Sequence, residues 1–85
     1  MKKETVKLNS GKKVTIPSFA EETAGSIPVG VIRKASHIED EEQRSFRMFW
    51  LACDEALTSK ELESLDKISM HELQEAMVAS GVKKH

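Results

Sequence analysis

Apolar residues in the middle of the chain continue around a predicted helix instead of keeping to one face. With 3.6 residues per turn, one stripe consists of Phe46, Phe49, Trp50, Cys53 and Leu57. Met48 and Leu51 project from the opposite side, among Arg44, Arg47 and Glu55. An amphipathic helix in a domain of 85 residues needs only the first stripe to form its core. The second set therefore predicts cover by another part of the chain or by another protein.

The second set defines a candidate partner-binding surface. Left uncovered, Met48 and Leu51 form an apolar patch flanked by Arg44 and Arg47, which is typical of protein recognition. We then expect Met48→Asp or Leu51→Asp to weaken partner binding while the domain stays folded. The alternative is that the apolar face of a hairpin covers both residues and makes this a central helix. In that case either substitution unfolds the domain.

Residues 4–17 predict a β-hairpin, because apolar and polar residues alternate on both sides of Asn9-Ser10-Gly11. A three-residue loop with Gly11 in the left-handed conformation pairs Val6 with Val14. The apolar face of the hairpin then consists of Val6, Leu8, Val14 and Ile16. Two strands alone are marginally stable in water, so this face must pack on helices.

The rest of the sequence predicts a polar connection at 18–26, a helical part at 27–81 and a frayed tail at 82–85. Ser26 is placed to cap a first short helix that ends near Ala35. The buried side of that helix is then supplied by Ile27, Val31 and Ile32.

Three further helices have capping-box patterns at their starts, namely Ser36 with Glu39, Thr58 with Glu61, and Ser69 with Glu72. The second helix should begin near Ser36 to Asp40 and run to about Leu57, and Gly81 lies where the last helix needs a C-terminal cap. In the first helix, Gly30 either weakens the helix or allows a close helix crossing. The sequence therefore predicts a single α+β domain, mostly helical, in which an N-terminal β-hairpin packs on about four short helices.

The net charge is only −1, but it is unevenly distributed. Residues 1–34 carry a net charge of +4 and residues 35–85 a net charge of −5. This polarity fits self-association, steering of a partner, or a surface that is merely solvated. No apolar run approaches the roughly 20 residues that span a bilayer, so we expect no membrane partner. A single cysteine and no signal peptide indicate a cytosolic protein.

Candidate chemistry is sparse. The three histidines, His37, His71 and His85, stand at no metal-binding spacing from one another or from Cys53. Cys53 lies on the apolar stripe beside Asp54, so it should be a buried hydrophobe and not a nucleophile. We therefore predict no catalytic residue, no cofactor and no metal site.

A small helix-turn-helix DNA-binding regulator is the alternative function. Residues 62–78 read as two helices joined by a tight turn. The second of them would offer His71, Glu72, Gln74 and Glu75 to DNA, and it has no Lys or Arg before Lys83. Phosphates repel such a surface, so we expect no nucleic-acid partner.

Four stretches of the chain share a likeness to one family. They are the hairpin Val6-Lys7-Leu8…Lys13-Val14-Thr15-Ile16-Pro17, the segment Ile27-Pro28-Val29-Gly30-Val31-Ile32-Arg33-Lys34, the acidic start and aromatic body of the second helix, and Ser64-Leu65-Asp66-Lys67-Ile68-Ser69-Met70-His71-Glu72-Leu73. Together they resemble the tail assembly chaperones of long-tailed siphophages, especially those that infect actinobacteria. The chain departs from that family at residues 22–26, which look like an insertion.

The resemblance implies a protein that is not an enzyme and has no catalytic residues. Members of that family associate with the tape measure protein and keep this long helical chain soluble. Tail tube protein then polymerises around the tape measure, and the chaperone is absent from the finished particle. The implied partners are thus the tape measure protein and the tail tube protein, and the implied location is the host cytoplasm. No motif of the family maps the partner surface.

Overall fold

The computed structural model describes residues 1–20 and 25–83, and it begins with the predicted hairpin. Strand β1 (Lys3–Lys7) pairs antiparallel with β2 (Lys13–Pro17), and Val6 lies opposite Val14. Gly11 has a φ of 93°, and its N–H donates to the carbonyl oxygen of Leu8 at 2.9 Å. The predicted three-residue loop and register are therefore confirmed.

Four helices follow in the described part of the chain: α1 (Val29–Ala35), α2 (Glu41–Ala56), α3 (Ser59–Asp66) and α4 (Met70–Ser80). The predicted fold class, α+β and mostly helical with the hairpin packed on the helices, is confirmed. None of the helices that the structure describes is long and apolar enough to cross a membrane.

The main core lies between the hairpin and helices α2, α3 and α4. Its buried side chains are Leu8, Val14, Ile16, Phe49, Cys53, Leu57, Leu65, Leu73, Ala76 and Met77. Phe46 and Trp50 are partly buried against it. The first apolar stripe of α2 is therefore core, as its spacing predicts, and burial of these side chains is the main force that holds hairpin and helices together.

Helix α1 packs on α2 outside this core. Val31 and Ala35 of α1 and Ala52 of α2 are fully buried but do not belong to the hairpin-side cluster. Helix α2 thus lies between the hairpin and α1. The prediction that Ile32 is buried is wrong: Val31 and Ala35, one turn apart, form the buried face of α1, and Ile32 lies outside that face and is 46% exposed.

The start of α1 differs from prediction, whereas α2, α3 and α4 start where the sequence predicts, although α2 uses a different cap within the predicted range. Thr58 forms a complete capping box with Glu61 at the start of α3, and Ser69 forms one with Glu72 at the start of α4. Helix α2 is capped by Asp40, whose carboxylate accepts from the Gln43 N–H, and not by Ser36. Ser36 instead ends α1, where its hydroxyl donates to a backbone carbonyl oxygen. Likewise Pro28, and not Ser26, is the N-cap of α1.

The C-terminal end of the described chain is tied to the domain. Val82 packs on the core, and the Lys83 ammonium lies 3.3 Å from a carboxylate oxygen of Glu42 and 5.7 Å from the ring centroid of Phe46. Val82 and Lys83 therefore contact the rest of the domain, where the sequence predicts the start of a frayed tail. The prediction for 84–85, and that for 21–24 within the polar connection, lies outside the described residues.

Candidate partner-binding surface

The basic hairpin docks on the acidic starts of two helices. Lys3 pairs with Glu61 at 2.9 Å, and Lys12 pairs with Glu72 at 3.3 Å. Ser10 in the hairpin loop donates to the second oxygen of Glu72 at 2.6 Å. Part of the charge difference between the two halves of the chain is therefore neutralised within the domain, because lysines of the hairpin pair with glutamates at the starts of α3 and α4.

The carboxylates of Glu61 and Glu72 each take part in a capping box and also bind a side chain of the hairpin. Hydrogen bonds from Ser10 and from the Ser69 backbone lower the pKa of Glu72 from 4.5 to about 2. The pKa of Glu61 is lowered mainly by the backbone N–H of Thr58 and then by Lys3. Hydrogen bonds to the charged carboxylate favour ionisation, so both groups stay anionic at neutral pH.

The same contacts bear on the helix-turn-helix alternative. Besides Glu72, Glu75 is engaged by the hairpin loop, since its carboxylate accepts from the Asn9 N–H at 2.8 Å. A recognition helix needs a free face that carries donors or positive charge. The hairpin loop occupies the start of α4, and the side chains that meet it there are acidic. This geometry disfavours entry of α4 into a DNA groove.

The predicted site residues do not form one exposed patch. Met48 and Leu51 are half-buried, on the side of α2 away from the hairpin-side core. Arg44 is also half-buried, and its guanidinium donates to the carbonyl oxygen of Ile38 at 3.0 Å, which fixes the connection between α1 and α2. Arg47 is exposed. The surface they share is thus partly closed, and their role in binding a partner stays a prediction.

Sequence reasoning missed the exposed large apolar side chains among the residues that the structure describes. Val29 is 76% exposed, Met70 63% and Ile32 46%. Val29 and Met70 are the first residues of α1 and α4, and the buried residues of each helix come later, starting with Val31 in α1 and Leu73 in α4. For Val29 the available signal was its place two residues before Val31, on the other side of α1. For Met70 the spacing gave no signal, because it shares a helix face with the buried Leu73 and Met77.

Met70 also borders an apolar groove between α2 and the turn that joins α3 to α4. The groove has a volume of about 190 Å³ and is lined by Trp50, Leu65, Asp66, Ile68, Ser69, Met70 and Leu73. The ring of Trp50 packs edge-on against Phe49, with centroids 5.4 Å apart. Because Phe49 is fully buried, this contact anchors Trp50 and leaves its other side to form the groove wall.

The predicted burial of Cys53 is confirmed. It is fully buried, and desolvation together with the nearby Asp54 carboxylate raises the pKa of its thiol to about 12. His37 and His71 are exposed, while His85 lies outside the described residues. Among the residues that are described, no three His, Cys, Asp or Glu side chains are grouped so as to hold a metal ion.

Known proteins offer no direct guide to this surface. Comparisons of the chain with protein-family models, with curated proteins and with solved structures give no match. The features that bear on function are the exposed apolar side chains, the groove beside Trp50 and the four sequence stretches described above.

Proposed function

We propose that this protein is a non-enzymatic tail assembly chaperone of a long-tailed phage, which binds the tape measure protein and keeps it soluble during tail tube assembly. The resemblance of the hairpin, of residues 27–34 and of residues 64–73 supplies the family. One structural observation supports a binding role: a domain of 85 residues leaves Val29, Ile32 and Met70 exposed at helix surfaces.

Those side chains give a physical reason for chaperone action. A long helical protein that awaits its tube exposes apolar stripes, which aggregate unless they are covered. A small domain with its own exposed apolar positions covers such a stripe reversibly, because each contact buries a modest area. The domain then leaves when tube subunits bury the same stripe more extensively. On this proposal the protein acts in the host cytoplasm and is absent from the mature virion.

Co-expression tests the proposal. The tape measure protein of the same phage is produced alone, with this chain, or with the variant Val29→Asp/Ile32→Asp/Met70→Asp, and its soluble fraction is measured. We expect the wild-type chain to raise the soluble fraction and the variant to lose that effect. All three positions are exposed, so circular dichroism should find the variant folded. An equally insoluble tape measure protein with and without the wild-type chain contradicts the proposal.

A further inference from the structure

We infer that the groove beside Trp50 binds one large apolar side chain of an amphipathic partner helix that carries Lys or Arg next to that side chain. This inference rests on the proposed function and adds the chemistry of the bound segment. It assigns the groove, and not the Met48–Leu51 side of α2, as the main contact with the partner.

The size of the groove selects the kind of ligand. Small-molecule sites usually have volumes of roughly 300–1,000 Å³. At about 190 Å³ the groove is smaller, and it suits a single apolar side chain that enters from a helix lying across α2 and α4.

The lining is suited to a protein partner. Five of the seven lining residues are apolar, namely Trp50, Leu65, Ile68, Met70 and Leu73. Tryptophan and methionine are enriched at protein interfaces, and the flexible thioether of Met70 adapts to the shape of the inserted side chain. The 63% exposure of Met70 in the free domain would fall when a partner helix covers it.

Two carboxylates specify the charge of the partner. Asp66 lines the groove, and Asp54 follows Trp50 by one helical turn on the same face of α2. Neither makes an ion pair with any residue from 1–20 or 25–83, whereas the nearby Lys67 is paired with Glu63 at 3.6 Å. Arg47, one turn before Trp50, supplies a single opposing charge. The unmatched charge around the groove is thus negative, which favours Lys or Arg on the partner.

A fluorescence titration tests this assignment, because Trp50 is the single tryptophan of the chain and forms the groove wall. The probes are two synthetic helical peptides with the same leucine ridge, one with lysine and one with glutamate beside the ridge. We expect the lysine peptide to shift the Trp50 emission and to bind about tenfold more tightly than the glutamate peptide. Asp66→Lys should remove most of that preference.

Two apolar-to-acidic variants localise the binding. Met70→Asp should abolish binding of the lysine peptide, while Val29→Asp, at an exposed apolar position outside the groove, should retain it. Met70 is the first residue of α4, where a carboxylate is favoured by the helix dipole, so Met70→Asp should stay folded. Equal affinity for both peptides, an unchanged emission, or wild-type binding by Met70→Asp overturns the inference. An emission shift that depends on the concentration of the chain alone assigns the groove to a second copy and also overturns it.

The two proposals fail in different ways. If the chain keeps the tape measure protein soluble but Met70→Asp does so equally well, the groove assignment is wrong and the chaperone function stands. If the lysine peptide binds as expected but the tape measure protein stays insoluble, the groove assignment stands and the chaperone function is wrong.

Discussion

At the scale of single residues, Glu72 joins two parts of the fold. Its carboxylate accepts from the Ser69 N–H and so helps begin α4, and it also binds Ser10 and Lys12 of the hairpin loop. One side chain therefore starts a helix and fixes the hairpin on it. Since these bonds need the ionised carboxylate, Glu72 links hairpin docking to pH.

The pH dependence of unfolding should report this link. The pKa of Glu72 is about 2 in the folded protein against an ordinary value of 4.5, so its stabilising effect is complete above about pH 4.5 and is lost as the pH falls towards 2. We expect Glu72→Gln to be less stable than wild type at neutral pH, with a difference that shrinks over that acid range. Urea unfolding at a series of pH values measures it.

A matched control for this experiment is Glu63→Gln. Glu63 is an exposed carboxylate of α3 that pairs with Lys67, the C-cap of that helix, and it forms no bond with the described residues of the hairpin. It should keep the wild-type pH profile. If Glu72→Gln keeps that profile as well, the carboxylate does not link the hairpin to α4.

Cys53 gives a second prediction at the residue scale. Raising the pKa of the thiol from 9.0 to about 12 lowers the thiolate population at neutral pH about a thousandfold, and burial blocks access as well. We expect a thiol reagent to label the native protein very slowly and the urea-unfolded protein at once. Rapid and complete labelling without denaturant would contradict the buried position of Cys53.

At the scale of elements, three glycines have different structural roles. Gly81 ends α4 with a φ of 90°, and a Cβ there would lie 3.3 Å from the carbonyl carbon and oxygen of Phe19. Gly11 has a similar φ of 93° in the hairpin loop, but a Cβ there would meet nothing within 4 Å. Gly30 lies inside α1, also with open space around a Cβ, so it does not serve a close helix crossing.

Alanine substitutions at the three glycines should change the free energy of unfolding by different amounts. Gly11→Ala should cost roughly 1–2 kcal/mol in the free energy of unfolding because of left-handed strain alone. Gly81→Ala should cost more, because the contact with Phe19 is added. Gly30→Ala should stabilise the domain by up to about 1 kcal/mol, through helix propensity. Urea denaturation measures all three, and a Gly30→Ala variant as unstable as Gly81→Ala would contradict this interpretation.

The elements also explain which parts of the fold were predictable. The hairpin register followed from loop length and alternation, and the starts of α3 and α4 followed from capping boxes just ahead of apolar periods. At α2 the sequence offers both Ser36 and Asp40 as caps within five residues, and local pattern does not decide between them. The contacts of Lys3 and Lys12 with the helices join residues about 60 positions apart, which no local rule anticipates.

The candidate site was predictable only in part. Helical spacing correctly indicated that α2 carries apolar side chains on more than one face. It did not reveal that α1 would pack there, or that Arg44 would bind the Ile38 carbonyl oxygen. It also did not reveal the groove, because the groove is lined jointly by residues of α2, of the end of α3 and of the start of α4, which are far apart in the sequence.

At the scale of the whole molecule, α2 is a central helix with the hairpin-side core on one face and α1 on another. The large apolar side chains that neither of these faces covers are Val29, Ile32 and Met70, which are exposed on the shorter helices α1 and α4. Binding of the proposed apolar partner at these side chains would therefore not require the core to open. This arrangement predicts that partner binding leaves the fold unchanged.

For the proposed chaperone function, the most direct test is an NMR titration of the labelled chain with purified helical fragments of the tape measure protein that the proposal names as its partner. We predict a saturable complex in which amide shifts change around Trp50 and Met70, while Cys53 and the hairpin core keep their native shifts. No shift change with any fragment, or changes spread through the whole core, would contradict the claim that this domain holds an apolar helix on its outer surface.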